Sequence, residues 1–179
     1  MQLIKPLNKT AAYWNQSSVS YSDLLDRIGS YIHILRTESA SKTAIFSENR
    51  IEWIYSLYAS WYHGSPAIPI DHLSSSDELS HILNDCRPNV LFCSSACLSK
   101  IKEVLPGMQF PIRVLVFEEL EVSVPCADFQ RDFEPDPEKT ALIVYTSGTT
   151  GSPKGVVLSF ENIWTNIHAV SEKIPIFQA

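Results

Sequence analysis

The chain has 179 residues, 45% of them apolar, and a formal net charge of −6. That length accommodates one α/β domain with a sizeable core, and the apolar share excludes a disordered chain. The acidic balance and the scattered Lys and Arg argue against a nucleic-acid surface, and no apolar run is long enough to span a membrane.

The N-terminus, Met1-Gln2-Leu3-Ile4-Lys5-Pro6, lacks a charged-then-apolar leader pattern, so a cytoplasmic location is expected. Of the four cysteines, Cys86, Cys93, Cys97 and Cys126, the first two fall on apolar positions, where cysteine behaves as a small hydrophobe. Cys93 and Cys97 have no second ligand pair at zinc-site spacing, and no metal site is expected.

Along the chain, Tyr21, Leu24, Leu25, Ile28, Ile32 and Leu35 recur at helical spacing, which predicts an amphipathic helix over 21–35. Ser20 is placed to cap it, with Asp23 at the favourable end of the dipole. Thr43-Ala44-Ile45-Phe46 reads as a buried strand. Asn49 is the expected cap of the next helix, with Glu52 at the capping-box position. That helix is apolar nearly all round (Ile51, Trp53, Ile54, Tyr55, Leu57, Tyr58, Trp61, Tyr62), which predicts burial between layers. A base-stacking surface would bring basic residues with it, and only Arg50 is near.

Gly64 is the expected stop of that helix, and Ala67-Ile68-Pro69-Ile70 a short strand. Ser76 or a neighbouring serine caps a helix whose apolar face is Leu79, Ile82, Leu83 and Cys86. Asn89–Cys93 reads as a strand, and a helix through Leu98, Ile101 and Leu105 runs to a Pro106-Gly107 turn. Ile112–Phe117 is the clearest strand. Such alternation predicts α/β architecture: βαβ units with a mostly parallel sheet covered by helices on both faces.

Residues 118–139 carry Pro125, Pro135, Pro137 and many acids, and read as an acidic, solvated connection. Then Ala141–Val144 and Val156–Leu158 are apolar runs on either side of a loop, which is expected to connect two buried strands. A helix over Glu161–Glu172 closes the chain. The five histidines, His33, His63, His72, His81 and His168, show no mutual spacing that suggests a site, and ordinary surface or core placement is expected for each.

The loop itself is Tyr145-Thr146-Ser147-Gly148-Thr149-Thr150-Gly151-Ser152-Pro153-Lys154-Gly155. Its glycines allow backbone N–H groups to approach an anion, its hydroxyls add donors, and Lys154 adds a compact positive charge. That chemistry suits a polyphosphate. The spacing is not that of a Walker A loop, because Pro153 stands where the second glycine should be and Gly155 follows Lys154 where Ser or Thr should be. The third glycine of the dinucleotide fingerprint is missing, and Tyr145 stands where a nucleophile elbow around Ser147 needs glycine.

Thr146 to Gly151, one variable residue, then Pro153-Lys154-Gly155 and Val156-Val157-Leu158-Ser159 resembles the signature loop of the acyl-adenylate-forming enzymes: acyl-CoA synthetases, adenylation domains of peptide synthetases, and luciferases. Asn49-Arg50 before Glu52-Trp53, and Asp77-Glu78-Leu79 before Ile82-Leu83-Asn84-Asp85, also resemble acyl-CoA synthetases. One departure is Phe160 after Ser159, where that family usually has His. The resemblance implies that residues 1–179 are the N-terminal portion of a large AMP-binding (adenylation) domain. It implies ATP with Mg2+ and a carboxylic acid, plausibly a fatty acid, as substrates, with coenzyme A as acceptor.

Nucleotide binding is expected from Thr146, Ser147, Gly148, Thr149, Thr150, Gly151 and Lys154, with Lys154 stabilising the leaving pyrophosphate. The family's adenine-binding segment, magnesium-holding acid, ribose-binding aspartate, hinge and C-terminal catalytic lysine would follow beyond this sequence. The chain is therefore expected to need the remainder of its polypeptide for adenylation, to be inactive alone, and to self-associate through uncovered apolar surface. Two alternatives stand: an amino-acid adenylation domain that loads a carrier protein, and a nucleotide-binding module without turnover.

Overall fold

The computed structural model describes residues 3, 4, 7, 9–122, 129, 132–146 and 152–173. An antiparallel hairpin comes first, β1 (Thr10–Trp14) and β2 (Ser17–Ser20). Its two-residue turn holds Asn15 and Gln16 at φ of 47° and 63°. Tight hairpins favour this doubly left-handed turn because its twist matches that of the strands. Helix α1 (Tyr21–Thr37) starts directly from β2. The Ser20 hydroxyl accepts from the Asp23 N–H at 3.1 Å, and the Asp23 carboxylate accepts from the Ser20 N–H at 3.3 Å. This capping box and the buried stripe Leu24, Leu25, Ile28, Ile32 and Leu35 match the expectation for 21–35.

The central elements are β3 (Thr43–Phe46), α2 (Ile51–His63), β4 (Ala67–Ile70), α3 (Ser76–Cys86), β5 (Val90–Cys93), α4 (Leu98–Val104) and β6 (Arg113–Val116). They lead to β7 (Thr140–Thr146), β8 (Lys154–Ser159) and α5 (Phe160–Lys173). Among the described residues, six strands form one sheet in the order β6-β5-β3-β4-β7-β8. Every neighbouring pair is parallel except β7 and β8.

Strand side chains alternate between two cores. Ile45, Val90, Phe92 and Leu115 pack with α1 and α2, while Ala44, Phe46, Ile68, Leu91 and Cys93 pack with α3 and α4. Because both faces are covered, β3 and β5 are buried at every position.

Three expectations need correction, and one element was not expected at all. Asn49 does not cap α2. Arg50 occupies the cap position and makes no capping bond, because a guanidinium has no acceptor for a helix N–H; its Nε donates to Glu52 at 2.9 Å. The loop does not join two buried strands. β8 is the sheet edge, and Val156 and Val157 are 45% and 59% exposed. Residues 118–139 are not simply a solvated connection: Glu118 is bonded into the domain, Pro135 is buried, and Phe129 and Phe133 lie against the Tyr62 ring at 5.1 and 5.4 Å. Residues 123–128, 130 and 131 of that segment lie outside the described residues. Finally, Thr10–Ser20 carries a hairpin that hydropathy did not single out.

The stop at Gly64 holds, at φ of 86°. The cap of α3 is Ser75, with Glu78 completing its capping box. Phe160 is buried edge-on against Trp61, with ring centroids 5.6 Å apart.

Candidate functional site

β7 and β8 pair in register up to Thr146 opposite Lys154. Directly opposed residues put their side chains on one face of the ladder. The first hydroxyl and the ammonium of the Gly-rich loop are thus brought together at its base, and both residues are exposed. Lys154 has no acidic partner among the described residues. The expected ligands Ser147, Gly148, Thr149, Thr150 and Gly151 lie outside the described residues.

Because β7 runs parallel to β4, Thr146 sits at the carboxyl ends of the parallel strands. In open α/β sheets, ligands bind at that edge. A cavity of about 300 Å³ opens there. It is bounded by the loop after β4 (Asp71, Ser74), by Glu78 of α3, and by Tyr145, Thr146 and Pro153 of the hairpin. The post-β4 loop is fixed in place. Asp71 Oδ1 accepts from the Leu73 N–H at 2.9 Å, and Lys100 Nζ donates to the carbonyls of Ser74 at 2.5 Å and His72 at 3.3 Å.

Helix α3 reaches the hairpin at two points. Tyr145 Oη donates to Asp85 Oδ2 at 2.6 Å, and His81 Nε2 lies 2.9 Å from the Pro153 carbonyl oxygen. Burial, and then the Asp85 hydrogen bond, push the Tyr145 phenol far above its ordinary range, so it stays a neutral donor. The ring lies across Gly155, its partner in the ladder. A Cβ at Gly155 would come within 3.1 Å of the ring. Sequence reasoning treated His81 as ordinary and assigned Asp85 no role in the site. Their one-turn spacing on α3 was visible, but their partners stand 72 and 60 residues away.

A second polar group occupies the same sheet edge, beyond β3, β5 and β6. Arg50 bridges Glu48 at 3.5 Å, Glu52 at 2.9 Å and Glu118, with its guanidinium 5.1 Å above the Phe117 ring. Ser94 Oγ donates to Glu48 at 2.6 Å, and the Ser95 N–H and hydroxyl each donate to Glu118 at 2.9 Å. Partial burial pushes the Glu118 carboxyl upward, but the bonds from Arg50 and Ser95 outweigh it and hold the group at about 2. One guanidinium shared among three carboxylates leaves this cluster net negative, and its bonds lock the β3–α2 turn onto the end of β6. It offers no free cation to a phosphate.

Among the described residues, no group of three His, Cys, Asp or Glu is placed to hold a metal ion, and no helix is long and apolar enough to cross a membrane. Cys86 and Cys93 are buried, which pushes their thiols up to about 11 and about 12. At neutral pH both are inert, uncharged core residues.

A family model described as "AMP-binding enzyme" matches residues 3–178. The chain is 32% identical over 161 residues to a polyketide synthase-nonribosomal peptide synthetase of Aspergillus clavatus, across 87% of this chain and 4% of that protein. It is 26% identical over 184 residues to fatty acyl-CoA synthetase B of Dictyostelium discoideum, across 89% of this chain and 27% of that protein. The chain therefore spans about a quarter or less of the length of these relatives. Among solved structures, a red-emitting luciferase of Phrixothrix hirtus superposes with a TM-score of 0.75 at 29% identity, covering 92% of this chain and 35% of that one.

Proposed function

Since this chain belongs to the AMP-binding enzyme family, we propose that the full-length protein is an ATP-dependent carboxylate ligase that makes an acyl-adenylate and releases pyrophosphate. The observation that carries the reading is the register of the β7–β8 hairpin. It pairs Lys154 with Thr146, which lines a cavity on the carboxyl edge of the sheet.

In adenylation a carboxylate oxygen attacks the α-phosphorus of ATP, and the bond to the bridging oxygen of the β-phosphate breaks. Negative charge grows on the departing pyrophosphate. Donors fixed near it lower the barrier more than they stabilise bound ATP. The hydroxyls of Thr146, Ser147, Thr149 and Thr150, with the glycine N–H groups, supply such donors, and the Lys154 ammonium follows the leaving charge. Mg2+ enters with ATP as part of the substrate and neutralises phosphate oxygens.

The second half-reaction is attack of a thiol on the acyl-adenylate, with AMP leaving and a thioester formed. Coenzyme A is the proposed thiol and a fatty acid the proposed acid. The likeness to fatty acyl-CoA synthetase B of Dictyostelium discoideum supports this choice. The likeness to the Aspergillus clavatus synthetase favours a second reading, in which an amino acid is loaded onto a carrier protein.

The test is pyrophosphate release by the full-length protein with fatty, aryl and amino acids in turn, followed by a thioester assay with coenzyme A. Fatty-acid-dependent release and acyl-CoA product are expected. Release with amino acids alone selects the second reading, and no acid-dependent release with any acid refutes both. The 179-residue chain by itself is expected to release none.

A further inference from the structure

The two contacts from α3 fall at the two ends of the loop, one residue before Thr146 and one residue before Lys154. Asp85 holds Tyr145, which precedes Thr146, and His81 holds Pro153, which precedes Lys154. We propose that His81 and Asp85 are positioning residues for the phosphate loop, a two-point clamp from one helix face onto both of its stems. The role at the nucleotide rests on the ligase reading above.

The helix is a firm base for such a clamp. Leu79, Ile82, Leu83 and Cys86 are at most 4% exposed, and Ser75 with Glu78 fixes the first turn. Residues 81 and 85 are i and i+4, so they share a face. Each contact is also directional. A carbonyl oxygen accepts, so His81 carries its proton on Nε2. Asp85 accepts from a phenol that stays neutral, and the missing Cβ of Gly155 leaves room for the Tyr145 ring.

Pro153 has no N–H, so its own main chain offers the clamp only a carbonyl. A loop whose stems are held before the nucleotide arrives loses less conformational freedom on binding, and the gain appears as affinity.

The test uses the full-length protein. Calorimetry measures the Kd of α,β-methylene-ATP, and hydrogen exchange measures the amides of residues 144–157 without nucleotide. Asp85→Ala and Tyr145→Phe should each weaken binding about tenfold. The double variant should be no worse than either single change, because both remove the same bond. Asp85→Asn, which keeps an acceptor, and His81→Gln, which keeps an N–H donor, should stay within about threefold of wild type, and His81→Leu should not. Exchange over 144–157 should speed up in the disrupting variants while β3 and β5 stay protected, and the KM for the carboxylate should not change.

Wild-type binding and exchange in Asp85→Ala and Tyr145→Phe would overturn the clamp, as would fully multiplicative losses in the double variant. If the wild-type protein binds no nucleotide, the ligase reading fails, and exchange still decides the clamp: faster exchange in the variants upholds it and unchanged exchange overturns it.

Discussion

Replacing Trp61 with Phe removes the indole N–H that donates to the Ala141 carbonyl oxygen at 2.9 Å, 80 residues away. Ala141 is fully buried and Trp61 is 8% exposed, so water cannot replace the lost donor freely. Losing a buried bond and leaving its acceptor short costs about 1–3 kcal/mol. The indole also meets Tyr58 and Phe160 edge-on at 5.1 and 5.6 Å. A phenyl ring keeps part of those contacts, and the missing atoms add about 1 kcal/mol. The total is about 2–4 kcal/mol. With a urea m-value of about 2 kcal/mol/M, the unfolding midpoint should fall by about 1–2 M.

The assay is equilibrium urea unfolding of the 179-residue chain, followed by far-ultraviolet circular dichroism. Phe160→Leu keeps the hydrogen bond and trims one ring contact, so it should shift the midpoint by about half as much. A near-neutral Trp61→Phe beside a costly Phe160→Leu would refute the reasoning. Trp61 would then serve by packing alone. The prediction bears on function because this bond ties α2 to the base of β7, the strand that delivers Thr146.

Gly64→Ala should cost about 1–2 kcal/mol through φ alone. The residue sits at 86° and a Cβ there meets nothing within 4 Å, so a thermal melt should show a loss for Ala and a smaller one for Asn. Glu118 is held at about 2, below its ordinary 4.5. Its stabilisation is present above about pH 4.5 and lost as pH falls toward 2. Its side chain is 41% exposed, which limits the effect to about 1 kcal/mol. Glu118→Gln should flatten the stability curve between pH 5 and pH 2 and lower stability by a constant amount of about 1 kcal/mol at higher pH. Val156 and Val157 on the edge strand β8 should drive self-association of the 179-residue chain, so Val157→Lys should lower its sedimentation-average mass at high concentration.

Sequence pattern revealed what is decided locally. The capping boxes at Ser20 and Ser75, the glycine stop at Gly64 and the apolar periodicity of α1 and α3 each involve residues a few positions apart. The cap of α2 was missed by one residue: Arg50 takes the position, and it is held both by the local Glu52 and by Glu118, 68 residues away, a partner that local sequence does not show. The hairpin at Thr10–Ser20 lacks Gly in its turn, and Gln16 at positive φ gives no sequence signal. The edge position of β8 was equally hidden. Val156 and Val157 read as core residues, and only strand order shows that no described strand covers them. In the site, the phosphate-loop chemistry lay in one contiguous segment, whereas the His81 and Asp85 contacts appear only once α3 is folded beneath the hairpin.

The central claim is that the loop ending at Lys154 grips the departing phosphates of ATP. It is tested most directly by rapid-quench measurement of a single turnover of pyrophosphate release in the full-length protein, comparing wild type with Lys154→Ala at saturating ATP and acid. The account predicts a rate at least about tenfold lower in the variant. An equal rate in the two proteins would contradict it.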